Sequence, residues 1–141
     1  MISENGLPRP VLALQQTTHV TLHALSSALA DLRLTAAEIN ALANLAERGA
    51  LSVSQLSAET GTKASTLTNV LDRLEQRGYL VRELDATDRR SFRLVLTASG
   101  SAIADRVIAV VAELEDRALG SLSASQLAGF HAVMTALREA S

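Results

Sequence analysis

The sequence predicts a mainly α-helical protein carrying one small β-hairpin. Three observations lead there. Leu and Ala supply 48 of the 141 residues, and the only two prolines are Pro8 and Pro10, so the strongest helix breaker is absent beyond residue 10. Three segments repeat one helix-start pattern, a hydroxyl residue followed three positions later by Glu or Gln, with apolar residues flanking the pair. Only between Gly78 and Thr97 does the apolar period change from helical spacing to two.

The elements follow in order. Residues 1–10 read as a flexible arm, and MISENGLPRP has no basic start followed by an apolar stretch, so it is not read as a signal peptide. A long helix is expected from about Val11 to Asp31. In Leu34-Thr35-Ala36-Ala37-Glu38-Ile39, Thr35 is placed to accept from the backbone N–H of Glu38 and the Glu38 side chain to reach back, with Leu34 and Ile39 as a hydrophobic staple. Leu51-Ser52-Val53-Ser54-Gln55-Leu56 and Leu122-Ser123-Ala124-Ser125-Gln126-Leu127 repeat the arrangement, so helices begin near residues 35, 52 and 123. Glycines 49, 61, 78 and 120 stand where such helices stop. A further helix runs from about Ala98 to Leu119, with Ile103, Val107, Val110 or Val111 and Leu114 at helical spacing. Leu80-Val81-Arg82-Glu83-Leu84 and Phe92-Arg93-Leu94-Val95-Leu96 alternate like two strands, joined by the polar Asp85-Ala86-Thr87-Asp88-Arg89-Arg90-Ser91.

Composition narrows the function classes. Hydrophobic residues at 48% are enough to bury a core, which sets the chain apart from a disordered tail. The longest apolar run, Val107 to Ala112, is far short of the ~20 residues that span a bilayer, so no membrane partner is expected and the default location is the cytoplasm. With no cysteine there is no disulfide scaffold, thiolate metal site or thiol redox sensor. The net charge of −2 is not that of a protein coated in positive charge, but its distribution is uneven. Between Lys63 and Arg93 lie seven basic and five acidic residues, so attraction for a polyanion concentrates in the middle of the chain.

The order of elements there is telling: helix 35–48, short helix 52–59, a turn at Gly61, helix 63–77, then a hairpin with an arginine pair at its tip. Two helices joined by a tight glycine-containing turn form a helix-turn-helix, whose second helix can enter the DNA major groove. Leu67, Val70, Leu71 and Leu74 make one apolar face of that helix. The opposite face offers Ser65, Thr66, Thr68, Asn69, Asp72, Arg73 and Gln76, whose short hydroxyls and amides approach base edges and phosphates while Arg73 reaches a phosphate or a guanine edge. Lys63 opposes the helix dipole, an arrangement that becomes favourable beside a phosphate, although an ordinary exposed lysine reads the same way. Arg89 and Arg90 suit a minor groove, against the blander reading of a solubilising turn, and Asp88 is expected to hold an arginine in place.

The stretch Leu34 to Gly100 resembles the winged helix-turn-helix of the MarR family of transcriptional regulators. The segments that carry the resemblance are Leu34-Thr35-Ala36-Ala37-Glu38, Ser65-Thr66-Leu67-Thr68-Asn69-Val70-Leu71-Asp72-Arg73-Leu74-Glu75, Arg77-Gly78-Tyr79-Leu80-Val81-Arg82, Asp85-Ala86-Thr87-Asp88-Arg89-Arg90-Ser91 and Leu96-Thr97-Ala98-Ser99-Gly100. The resemblance implies a homodimer that pairs through its N- and C-terminal helices and binds a near-palindromic double-stranded operator. It implies a recognition helix in the major groove, a wing in the minor groove, and repression relieved by a small-molecule effector. Two departures stand out: Lys63-Ala64 replaces the Ser-Pro that often opens the recognition helix, and Asn69 stands where an arginine is common. The absence of cysteine excludes the family's peroxide-sensing branch.

The organisation expected is thus a 1–10 arm, an 11–33 dimerisation helix, a 34–97 winged helix-turn-helix and 98–141 dimerisation helices. Helix 98–119 supports pairing independently, because Ile103, Ala104, Val107, Ile108, Val110, Val111 and Leu114 spread over more than one face. His19 and His23 are one helical turn apart and could line an effector pocket; no cysteine, HExxH-type glutamate or other close ligand completes a metal site, and no metal or cofactor is expected. Glu113, Glu115 and Asp116 point in different directions on a helix, Gly61-Thr62-Lys63 lacks the rest of a phosphate-binding loop, and no G-x-S-x-G elbow exists, so no enzyme is expected. The alternative is a winged-helix protein-interaction module that does not bind DNA, for which the polar helix face and basic wing would be unnecessary.

Overall fold

The computed structural model describes residues 4–141, so the first three residues of the expected arm lie outside the described residues. Six helices and three short strands succeed one another: α1 Pro10–Ala28, α2 Ala36–Arg48, β1 Leu51–Ser52, α3 Val53–Thr60, α4 Ala64–Gln76, β2 Leu80–Leu84, β3 Phe92–Leu96, α5 Ala98–Leu119 and α6 Ala124–Ala140. The mainly α architecture with a β-hairpin wing is the one the sequence predicts. The described chain divides into two compact units, one running to Val110 and the other Val111–Ser141.

All three capping boxes form. Thr35, Ser52 and Ser123 each accept from the backbone N–H three residues on, and Glu38, Gln55 and Gln126 each reach back to the cap backbone. Each closes two otherwise unsatisfied donors at a helix start. Gly61, at φ 68°, takes the left-handed turn between α3 and α4 that a side chain would strain.

In the first unit α2, α3 and α4 pack with the sheet around an aliphatic core. Leu42, Leu56, Leu71, Leu74 and Leu94 are fully buried at its centre, and Ala104 of α5 joins them. The apolar face expected of α4, Leu67, Val70, Leu71 and Leu74, is buried in full. The second unit comprises the end of α5 and α6; no residue of α6 is buried, and Phe130 and Val133 are exposed.

Two local expectations are corrected. The first helix stops at Ala28 rather than near Asp31, and Ala30–Leu32 form a separate 3-10 turn ending in a left-handed Arg33 at φ 53°. The reason is tertiary: the Arg77 guanidinium, 44 residues away, donates to the carbonyls of Leu32 and Arg33, and Leu29 turns into the protein with 1% of its surface exposed. The hairpin forms as expected, from Leu80–Leu84 and Phe92–Leu96, but a third strand joins it. Leu51 and Ser52 pair antiparallel with Leu94 and Arg93, giving a sheet of order β1-β3-β2. Two residues are too few to display a period, so this strand left no mark in the hydropathy pattern.

Candidate nucleic-acid interface

The site is built on α4. Burial of its four apolar residues leaves Ser65, Thr66, Thr68, Asn69 and Arg73 exposed along the other face. Lys63 is the N-cap and makes no side-chain cap bond, so the first turn of α4 keeps donors that no side chain satisfies. Its carbonyl accepts from the N–H groups of Thr66 and Leu67 at 3.1 and 3.0 Å. Thr68 donates its hydroxyl proton to the Ala64 carbonyl at 3.0 Å, which leaves its oxygen lone pairs and methyl group to face outward.

Charge is distributed unevenly over this face. Arg73 has half its side chain exposed and directs its Nε to Glu38 Oε1 at 3.6 Å. Asp72, although on the polar face, points its carboxylate to Arg82 of β2 at 2.9 Å, and Glu75 binds the same guanidinium at 3.1 Å. Arg77 donates to the carbonyls of Leu32 and Arg33 and lies over the Tyr79 ring at 5.0 Å. Two of the seven central cations, Arg77 and Arg82, are therefore engaged in tying elements together, whereas Lys63, Arg89 and Arg90 make no ion pair among the described residues.

The wing tip is shaped by its two aspartates. Asp85 Oδ1 accepts from the backbone N–H and the hydroxyl of Thr87, at 2.9 and 2.7 Å, and those bonds hold its carboxyl below the ordinary carboxylate value. Asp88 Oδ1 accepts from the backbone N–H of Arg90 at 3.0 Å, and its carbonyl accepts from the N–H of Ser91 at 3.1 Å. Asp88 holds Arg90 as the sequence suggests, but through the main chain. Both guanidiniums stay exposed at the tip. Arg90 also lines a groove of about 460 Å³ together with Arg82, Phe92, Ser52, Ser54 and Ser91.

A second cavity of about 300 Å³ is lined by Leu45, Ala46, Gly49, Ala50, Val95, Leu96, Ser101 and Asp105. Neither His19 nor His23 lines either cavity; both are exposed on α1. Among the described residues no group of three or more His, Cys, Asp or Glu side chains is gathered as metal ligands. No helix among the described residues is long and apolar enough to cross a membrane.

Sequence reasoning missed three contributors: Glu38, Arg77 and Arg82. Glu38 was legible only as a capping residue, yet its place with Ala41, Leu42 and Leu45 at i, i+3, i+4 and i+7 puts it on the buried stripe of α2. That spacing was the available signal. Arg77 and Arg82 fall in a segment that carries the family resemblance, but no hydropathy pattern marked their partners, which for Arg77 lie 44 and 45 residues back and for Arg82 on the preceding helix.

The MarR family model matches residues 34–91, the segment that holds α2 to the wing. The chain is 35% identical to the HTH-type transcriptional regulator PecS of Dickeya dadantii, with 89% of this chain and 79% of that protein covered. It is 33% identical to the HTH-type transcriptional repressor Rv2887 of Mycobacterium tuberculosis, over 79% of this chain and 81% of that one. Its fold matches the crystal structure of MepR from S. aureus in its DNA-binding conformation with a TM-score of 0.84 at 19% identity, covering 94% of this chain and 98% of that one. The chain belongs to the MarR family of transcriptional regulators.

Proposed function

We propose that the chain is a homodimeric, sequence-specific DNA-binding repressor whose hold on its operator is released by a small-molecule effector. The observation that carries this reading is the division of α4: four apolar residues buried in full, and a continuous polar face of Ser65, Thr66, Thr68, Asn69 and Arg73 exposed. A helix presented in that way suits the major groove, with Arg89 and Arg90 entering the minor groove and Lys63 on a phosphate.

Dimerisation rests on apolar surface that one copy leaves open. No residue of α1 or of α6 is buried, and Val11, Leu12 and Val20 of the one and Phe130 and Val133 of the other are exposed. A second copy covering helices 11–33 and 98–141 accounts for that surface, and a two-fold axis would set the two recognition helices ~34 Å apart. The effector is assigned to the face of α1 that bears His19 and His23, which the partner copy would turn into a lined cavity. The protein would work in the cytoplasm on a near-palindromic operator. The name of the M. tuberculosis relative favours repression.

The test is fluorescence anisotropy of labelled DNA from upstream of the protein's own gene, at two salt concentrations with excess nonspecific competitor. Competitor-resistant binding that saturates at two protomers per site and weakens with salt is the expected result. No binding to that DNA, and no sequence enriched from random DNA, would leave the protein-interaction module as the better reading.

A further inference from the structure

We infer that Glu38 is a positioning residue for DNA reading: its buried carboxylate aims the Arg73 guanidinium outward from α4. The inference rests on the reading that the exposed face of α4 meets the bases. Glu38 is only 3% exposed, and a buried carboxylate is costly unless charge and hydrogen bonds compensate it. Thr35 supplies the hydrogen bonds, with its hydroxyl at 2.9 Å and its N–H at 3.3 Å from Oε1. The charge is met by α4 and its C-cap, Arg73 Nε at 3.6 Å from Oε1 and Arg77 Nη1 at 3.8 Å from Oε2.

The two arginines differ in freedom. Arg77 is pinned by the Leu32 and Arg33 carbonyls and by the Tyr79 ring, so it serves as a fixed cation behind the carboxylate. Arg73 comes nearest to Glu38 through Nε, and its two terminal nitrogens make no hydrogen bond among the described residues. The guanidinium plane is thereby restrained at its inner edge while its outer fork, the pair of donors that matches a guanine edge or a phosphate, faces solvent. The entropy of ordering a long side chain is removed before DNA arrives.

Glu38→Gln isolates this role, because Gln completes a capping box as well as Glu does but carries no charge. With DNA enriched from a random pool by the wild-type protein, Glu38→Gln is expected to bind about 3- to 10-fold more weakly, the range for ordering one such side chain on association. It should also discriminate less at the base pair that Arg73→Ala identifies. In the Arg73→Ala background, adding Glu38→Gln should change nothing further. Binding by Glu38→Gln equal to wild type, or the same loss in both backgrounds, overturns the inference and leaves the functional reading intact. A wild-type protein that enriches no DNA sequence overturns both. Should the variant unfold, the wild type alone decides by NMR: an ordered, slowly exchanging Arg73 Nε–H supports the restraint, and one as mobile as that of Arg89 refutes it.

Discussion

Arg82 of β2 lies 2.9 Å from Asp72 and 3.1 Å from Glu75, so one guanidinium fastens the wing to two successive turns of α4. The polar face of the helix and the wing are thereby coupled by a single side chain. The same contact neutralises two carboxylates on the face of α4 that the proposed function turns toward DNA.

Removing it should separate stability from function. Arg82→Ala is expected to lower stability by about 1 kcal/mol or less, since all three partners are partly exposed to screening water. DNA affinity should fall further than that, because Asp72 and Glu75 would then repel the backbone and the hairpin would lose its tether. Paired urea unfolding and DNA titration check it, and equal losses in both would refute the coupling.

Gly100 is packed against backbone. A Cβ built at this position would overlap the Tyr79 carbonyl, whose oxygen also accepts from the N–H of Thr97 at 3.1 Å. Gly100→Ala must push the start of α5 away from the end of the α4–β2 turn, and a loss of about 1–3 kcal/mol is expected. Thermal unfolding measures this, and an unchanged midpoint would mean that α5 shifts freely.

The wing arginines are exposed and bear no structural burden, so Arg89→Ala with Arg90→Ala should leave the unfolding midpoint unchanged. Together they should weaken DNA binding by about 1–3 kcal/mol and flatten its salt dependence. Unchanged affinity at both salts would remove the wing from the interface.

Acid should loosen the wing before it unfolds the core. The Asp85 carboxyl is held below its ordinary 3.8 by the Thr87 N–H and hydroxyl. A carboxyl lowered on folding stabilises the folded state fully above that ordinary value, and the benefit is lost as pH falls through the lowered one. Asp85→Asn keeps an acceptor for Thr87 and loses the titration. At neutral pH its wing amides should exchange nearly as in the wild type, whereas below pH 3.8 only the wild type should show the added loss of protection. A wild-type wing indifferent to that pH change would contradict the assignment.

Much of this molecule is local chemistry that a linear chain displays. Thr35, Ser52 and Ser123 announce three helix starts because a capping box involves only residues three apart. The buried face of α4 is legible for the same reason, since Leu67, Val70, Leu71 and Leu74 share one helical stripe whatever they pack against. From that stripe the exposed candidates Ser65, Thr66, Thr68, Asn69 and Arg73 follow by exclusion.

What the tertiary structure decided are the long-range ties. The end of α1, the two-residue strand β1 and the roles of Glu38 and Arg77 each depend on a partner far away along the chain, as with Arg77 reaching the Leu32 and Arg33 carbonyls, and the role of Arg82 depends on how β2 folds back beside α4. A periodicity reports which face of an element is apolar, but it carries no information about which distant polar group will meet another. The sequence by itself determined most of the elements and the face each buries; only packing decided which arginines hold the protein together and which stay exposed on α4 and the wing.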